Sequence, residues 1–174
     1  SIGYKTKQDK NLTYTQFSAG YERYINLGKE TILGFMGSTV LNNKRPLDNY
    51  TASIVQSPGF TPTLHSKSAF NEAFRSNQYQ ALGLMPIWNL RPNLYLRGEC
   101  YGFFPWTMYE RSANQQAIPV HQWSNIQYIA EASMVYSLPF ASLSLFVNNY
   151  SYPKGNWNVG INLGYLLFGS RFHD

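Results

Sequence analysis

The residues of this chain that could do chemistry are few. Glu99 and Glu131 each sit mid-way along an alternating stretch, and a carboxylate pair at the right separation could do general acid–base work. Arg97 and Arg23 offer the other use of such acids, as partners in ion pairs, and Glu22 is a further acid of the same kind. His65, His121 and His173 fall in loops or the tail, with no Cys or paired acid at metal-ligand spacing, so they read as solvated histidines. A serine hydrolase of the Gly-x-Ser-x-Gly type needs its Ser on a strained strand-to-helix turn. The stretch "GFMGSTV" has Gly34, Gly37 and Ser38 at the wrong spacings and no helix after them. Phosphate-binding and dinucleotide glycine loops are missing too. The expectation is therefore a chain that is not itself an enzyme, with no metal and no cofactor.

What, then, positions the acids? Charged residues make up 13% of the 174 residues, about half the ~25% usual in soluble domains. Aromatics reach 17%, with fourteen Tyr, and the missing charge is replaced by Asn, Gln, Ser, Thr and Gly. A sheet with one lipid face and one wet face should look like this. The net charge of +5 comes from scattered Lys and Arg without a dense basic stripe, which argues against nucleic acid and suits the phosphates of lipopolysaccharide. The single Cys100 rules out an internal disulfide. No run of eighteen apolar residues exists, so no transmembrane helix is expected.

Gly, Pro and Asn punctuate the sequence too often for long helices. Strand-like runs occur at Asn11–Asn26, Lys29–Leu41, Gln78–Trp88, Asn93–Phe104, Ser124–Tyr136, Ala141–Tyr150 and Trp157–Phe168, with a fragment at Ile2–Tyr4. Several are longer than the five or six residues usual in globular proteins and match the ~9–11 of a tilted membrane strand. Short links (27–28, 89–92, 137–140) alternate with longer ones, above all 42–77 and 105–123, as tight inner turns alternate with long outer loops in outer-membrane barrels. On that scheme both Asn11–Asn26 and the last strand descend, 5–10 is an outer loop, and the chain starts part-way through a rising strand. At ~20 residues per strand and loop the chain makes about eight strands, the smallest closed barrel or half of a sixteen-stranded one.

Alternation assigns faces. In the last run Trp157, Val159, Ile161, Leu163, Tyr165 and Leu167 share one parity and are expected to face lipid. Glu22, Arg97, Glu99 and Glu131 fall on the less apolar parity of their runs and are expected in the lumen. A soluble lipocalin-like barrel that binds a hydrophobic ligand would show the same alternation with the faces exchanged. Two details favour the membrane. The polar face holds Gly, Asn, Ser and Gln more than Lys and Glu, and Tyr14, Tyr24, Trp88, Tyr136, Tyr150 and Trp157 lie near strand ends, where aromatic girdles meet headgroups.

The stretches "FNEAFRSNQYQALGLMPIW" (Phe70–Trp88), "LPFASLSLFVNNY" (Leu138–Tyr150) and "NVGINLGYLLF" (Asn158–Phe168) together resemble the membrane barrel at the end of bacterial patatin-like proteins. That barrel is related to the surface-antigen and outer-membrane-assembly-factor barrels. The resemblance implies a sixteen-stranded barrel with five strands after the loop around Phe74–Asn77. It implies a loop folded into the lumen at Phe74 and Arg75, although Ser76 stands where the family has Gly. It also implies a C-terminal assembly signal at Gly164, Tyr165 and Phe168, here followed by the tail Gly169–Asp174. By the same resemblance an N-terminal patatin-like lipid acyl hydrolase would precede the barrel, which would anchor or export it. The expectation is thus all-β: an antiparallel transmembrane β-barrel spanning 1–174 as one domain or as the C-terminal part of one, in the outer membrane of a Gram-negative bacterium. A complete small eight-stranded outer-membrane protein is the nearest alternative. Expected partners are outer-membrane lipids, lipopolysaccharide and the barrel-assembly machinery. A homodimer is compatible with this reading.

Overall fold

The computed structural model describes residues 14–121, 125–153 and 155–165. Its elements are β1 (Gln16–Asn26), β2 (Thr31–Asn42), α1 (Tyr50–Gln56), α2 (Leu64–Ser68), β3 (Gln78–Arg91), β4 (Leu94–Arg111), β5 (Ala117–Val120), β6 (Gln127–Ser137), β7 (Ala141–Tyr150) and β8 (Asn156–Tyr165), with a 3₁₀ turn at Glu72–Phe74. The fold is all-β and antiparallel, with an eight-stranded sheet in the order β1-β2-β3-β4-β6-β7-β8 and β5 paired to β4. The sheet is open: among the described residues β1 and β8 have a strand neighbour on one side only.

The turns explain the order. Leu27 N–H donates to the Thr31 carbonyl (2.9 Å) and Leu138 N–H to that of Ala141 (2.7 Å), closing tight hairpins. Asn89 N–H reaches Glu30 (2.8 Å) and Ser137 N–H reaches Asn93 (2.8 Å), so the end of each strand meets the start of its neighbour. Along β6, β7 and β8 the register runs Ala132–Val147–Val159 and Met134–Leu145–Ile161.

The chain divides into two compact units. The first gathers Gly37–Ala81 and Phe103–Ile126 with the start of β1; the second gathers Glu22–Met36, Leu82–Gly102 and the stretch from Gln127 onward. In the first, the link 42–77 is more than an outer loop. It carries α1, α2 and the 3₁₀ turn, started by side chains that accept a backbone N–H: Asn49 from Ala52, Thr63 from Ser66 in a capping box, Asn71 from Ala73. Helices of seven, five and three residues are too short to leave a helical period in the sequence.

The expected loop 105–123 is also corrected. β4 runs on to Arg111 and turns back into β5, in the register Met108–Val120 to Arg111–Ala117. Alternation carries the strand through Pro105: Phe103, Pro105, Thr107 and Tyr109 are buried, while Phe104, Trp106 and Met108 are half-buried. One missing N–H outside the stretch that pairs β5 does not outweigh that pattern. The expected starts at Asn11 and Ser124 and the fragment Ile2–Tyr4 fall outside the described residues, as do Leu167, Phe168 and the tail.

In the second unit glycines make room for rings on the neighbouring strand. A Cβ built on Gly34 would lie 2.6 Å from the Tyr24 ring, one on Gly160 2.6 Å from Phe146, and one on Gly83 would collide with the Tyr101 ring. Gly83→Ala is therefore expected to destabilise the fold by about 1–3 kcal/mol in urea titration, because the Tyr101 ring must leave its place. Gly20, with nothing within 4 Å of a built Cβ, should tolerate Ala with little change.

Candidate functional site

Two clusters of side chains cover the buried face of the sheet, one in each unit. In the second unit Arg97 and Glu99, two apart on β4, project to the same side, and Arg97 Nη2 forms an ion pair with Glu99 Oε1. Glu99 is 6% exposed. Its second oxygen accepts a hydrogen bond from the Tyr101 hydroxyl at 3.2 Å. A carboxylate removed from water needs such partners, since neither water nor protein carbonyls would otherwise stabilise the charge. Arg97 Nε is buried without a partner, so the pair is incompletely satisfied on its cationic side.

Around this pair the neighbouring strands add a polar ladder. Glu131 Oε2 on β6 accepts from Asn148 Nδ2 on β7 (3.2 Å), and Asn148 Oδ1 accepts from Asn158 Nδ2 on β8 (3.1 Å). Asn148 is 1% exposed. Ser133, buried on β6, places its hydroxyl 3.5 Å from the Arg97 carbonyl. On β1 the Tyr24 hydroxyl donates to Glu22 Oε1 at 2.5 Å, beside Met85 Sδ at 3.8 Å.

The four acids and bases expected on one face are therefore Glu22, Arg97, Glu99 and Glu131. Glu99 is buried, Arg97 and Glu131 are half-buried, and Glu22 on the open edge strand is exposed. Among the described residues Arg97 and Glu99 form the ion pair of this set. Arg23, expected as a second pairing cation, has the opposite parity to Glu22 and shares the face of Tyr21 and Ile25. Parity also removes two aromatics from the expected girdles. Tyr24, though exposed, shares the parity of Glu22, and Tyr150 is buried; Tyr14, Trp88, Tyr136 and Trp157 are exposed.

The first unit holds an aromatic cluster. Phe103 on β4, fully buried, meets Tyr79 on β3 at 4.9 Å between ring centroids, Phe60 at 5.7 Å and Phe74 at 5.7 Å. Phe60 and Phe74 come from the link 42–77, which thus folds against the buried parity of β3 and β4. Phe74 was expected to enter; Phe60, Tyr79 and Phe103 were not singled out, although Phe103 has the same parity as Arg97 and Glu99.

Arg75, which the resemblance puts in a loop folded into the lumen, is tied to its own link 42–77. Its Nη1 donates to the carbonyls of Val55 (3.0 Å) and Ser57 (2.9 Å), and its guanidinium lies 4.6 Å from the centre of the Phe70 ring. Burial holds the guanidinium below its ordinary pKa. It is a staple that ties α1 to the 3₁₀ turn, helped by the bridge between Gly59 and Arg75. Beside it the Ser76 hydroxyl sits 2.6 Å from the Thr107 carbonyl and 2.7 Å from that of Gln78. Asn77 Nδ2 donates to the Lys44 carbonyl (2.7 Å) and to the Tyr109 hydroxyl oxygen.

The other face of the sheet is apolar and exposed. Across β6, β7 and β8 it presents Tyr128, Met134 and Tyr136, then Leu143, Leu145 and Val147, then Trp157, Val159, Ile161 and Leu163. Val159 is 80% and Ile161 67% exposed. The register puts Leu143 beside Leu163, Leu145 beside Ile161 and Val147 beside Val159, so the patch is continuous. Leu82, Leu84, Trp88 and Leu90 extend the pattern on β3. Gly164 pairs with Ser142 and Tyr165 with Ala141 through the backbone.

Most of these side chains are tied to backbone carbonyls, amides or carboxylates, and His121, read from the sequence as a solvated loop histidine, places its Nδ1 3.1 Å from the Thr107 hydroxyl. Among the described residues no three His, Cys, Asp or Glu side chains are grouped to hold a metal ion. The chain matches no protein-family model, no curated protein and no solved structure.

Two substitutions test the clusters. Arg97→Met should cost about 1–3 kcal/mol, moderated by the partial exposure of Arg97, because it strands the Glu99 carboxylate. In a double-mutant cycle with Glu99→Gln the second change should cost much less once Arg97 is gone. Arg75→Lys keeps a charge but loses the fork, and should accelerate limited proteolysis between residues 43 and 77 while leaving β6–β8 protected from hydrogen exchange.

Proposed function

We propose that this chain is a transmembrane β-barrel, or the C-terminal part of one, in the outer membrane of a Gram-negative bacterium, and that its work is anchoring. The observation that carries this reading is a continuous exposed apolar face opposite one that buries polar side chains among its rings and aliphatic residues. Glu99, Thr107, Ser133 and Asn148 are buried, while Leu, Ile, Val and Trp fill the opposite face and are exposed. Water-soluble monomers rarely expose a continuous apolar patch of more than a few hundred Å², and they seldom bury charge. Lipid reverses both preferences, and the antiparallel ladder supplies the backbone hydrogen bonds that hydrocarbon cannot. A soluble ligand-binding barrel would turn the Val159–Ile161–Leu163 parity inward, which is opposite to the exposure found here.

The family-level reading adds the cargo. On the resemblance of Phe70–Trp88, Leu138–Tyr150 and Asn158–Phe168, the barrel anchors or exports a patatin-like lipid acyl hydrolase placed N-terminal to it. The packing of Phe74 against Phe103, which itself meets Tyr79, supports a loop folded onto the buried face of the sheet. Lipopolysaccharide and phospholipid are its surroundings, and the barrel-assembly machinery is the partner that would insert it.

The face assignment has a direct test. Ile161→Arg should cost about 2–4 kcal/mol in a bilayer, and Asn162→Arg, on the opposite parity, distinctly less. Folding titrations into phospholipid vesicles read both. Equal costs, or a larger cost at Asn162, would sink the assignment. A chain that stays monodisperse without detergent would sink the membrane reading itself.

A further inference from the structure

The stretch that leaves β2 is pinned on both sides. Lys44 N–H donates to Asn42 Oδ1 (2.8 Å), the Lys44 carbonyl accepts from Asn77 Nδ2 (2.7 Å), and Leu47 N–H donates to Ser53 Oγ (2.8 Å). Between this stretch, α1 and the end of β4 lies a cleft whose polar lining is Lys44, Arg45, Ser53, Gln56, Asn77 and Tyr109, all in the first unit. It holds about 160 Å³, the solvent at its mouth included, against the roughly 300–1,000 Å³ of a pocket for a drug-sized ligand. Only a small group fits.

Hydrogen-bond accounting narrows its chemistry. Ser53 Oγ accepts from Leu47 and donates to the Asn49 carbonyl at 2.9 Å. Asn77 spends its amide hydrogens on the Lys44 carbonyl and the Tyr109 hydroxyl oxygen, and its Oδ1 accepts from Ser57 at 3.3 Å. The Tyr109 hydroxyl is thus an acceptor towards Asn77, and among the described residues nothing takes its own proton. Tyr109 is 7% exposed, so this O–H is a buried donor in want of an acceptor. Two cations join it. Lys44 Nζ lies 4.9 Å from the centre of the Tyr14 ring, which orients the ammonium without neutralising it. Arg45 is exposed, and among the described residues neither cation forms an ion pair. No carboxylate lines the cleft. Asp48 and Glu110 are exposed outside it, and Glu72 takes the Tyr50 hydroxyl at 3.5 Å.

We infer that this cleft binds a single phosphoryl group, as inorganic phosphate or a phosphomonoester. Such a group carries about two negative charges at neutral pH, matching the two cations, and its oxygens accept from a hydroxyl, an ammonium and a guanidinium together. A carboxylate would leave one cation unanswered. Tyr109 stands on the parity of β4 that is buried, shared with Thr107 and Phe103 and opposite to that of Phe104 and Met108. Phosphate in solution is therefore the expected source rather than a lipid head group. The cleft is built within the first unit and does not rest on the membrane reading.

Calorimetric titration of the full polypeptide, held in dodecyl-maltoside micelles, with inorganic phosphate tests it. Saturable binding is expected, weakened about tenfold by Lys44→Met or by Arg45→Met. Tyr109→Phe keeps the ring and should weaken binding severalfold. Lys67→Met removes an exposed cation of the same link that lies outside the cleft, and should leave the affinity unchanged. Thermal unfolding without phosphate verifies that each variant is folded. A chain that shows no saturable binding overturns the inference. So does a loss in Lys67→Met equal to that in Lys44→Met, which would mark attraction by net charge alone, or a folded Tyr109→Phe variant that binds as tightly as the parent. Phosphatidic acid added to the micelles separates the sources. Failure to displace phosphate supports a soluble ligand, while displacement overturns the soluble source and assigns the cleft to a phosphate head group.

Discussion

In an antiparallel ladder the backbone of each strand is satisfied by its neighbours, and the side chains are left to alternate between two faces. Much of this protein follows from that constraint. Because pairing consumes the backbone groups, what each face offers its surroundings is decided by parity alone. Leu145, Val147, Val159 and Ile161 form one continuous apolar surface because the register of β7 and β8 places them side by side. A shift of one residue would have turned Asn148, Asn158 and Asn162 outward instead.

The two buried clusters answer one problem in different ways. A face that buries Glu99, Ser133 and Asn148 among its rings and aliphatic side chains cannot close by hydrophobic packing alone. In the second unit it is tied by hydrogen bonds between strands, from Glu131 through Asn148 to Asn158, and by the Arg97–Glu99–Tyr101 group on β4. In the first unit the link 42–77 brings its own apolar side chains, Phe60 and Phe74, to rings that the strands already present. Arg75 holds that link in shape by capturing two carbonyls at once, a task for which a planar guanidinium is better suited than an ammonium. Glycines opposite Tyr24, Tyr101 and Phe146 complete the arrangement, since rings can lie across a neighbouring strand only where no Cβ stands in the way.

Alternation by itself was enough to place β1, β2, β3, the first part of β4, β6, β7 and β8, though not β5, and to put Glu99 and Arg97 on one side and Ile161 and Val159 on the other. Side-chain direction in a strand is a local property with a period of two. Chemistry at this level was legible because Glu, Arg and Asn are unusual in mid-strand. The tertiary structure decided what depends on contacts distant in sequence. It showed that the strand passes through Pro105 and that short helices capped by Asn49, Thr63 and Asn71 occupy the link. It buried Tyr150, and it gave the Arg75 guanidinium two carbonyls to hold, those of Val55 and Ser57. Helices this short leave no periodic trace, and the carbonyls that hold Arg75 stand 20 and 18 residues away in sequence. The edges belong to the same class: the sequence determined which way the side chains of β1 and β8 point and, through its alternating links, that both strands run the same way, and only the order of strands in the sheet showed that, among the described residues, these two are its edges.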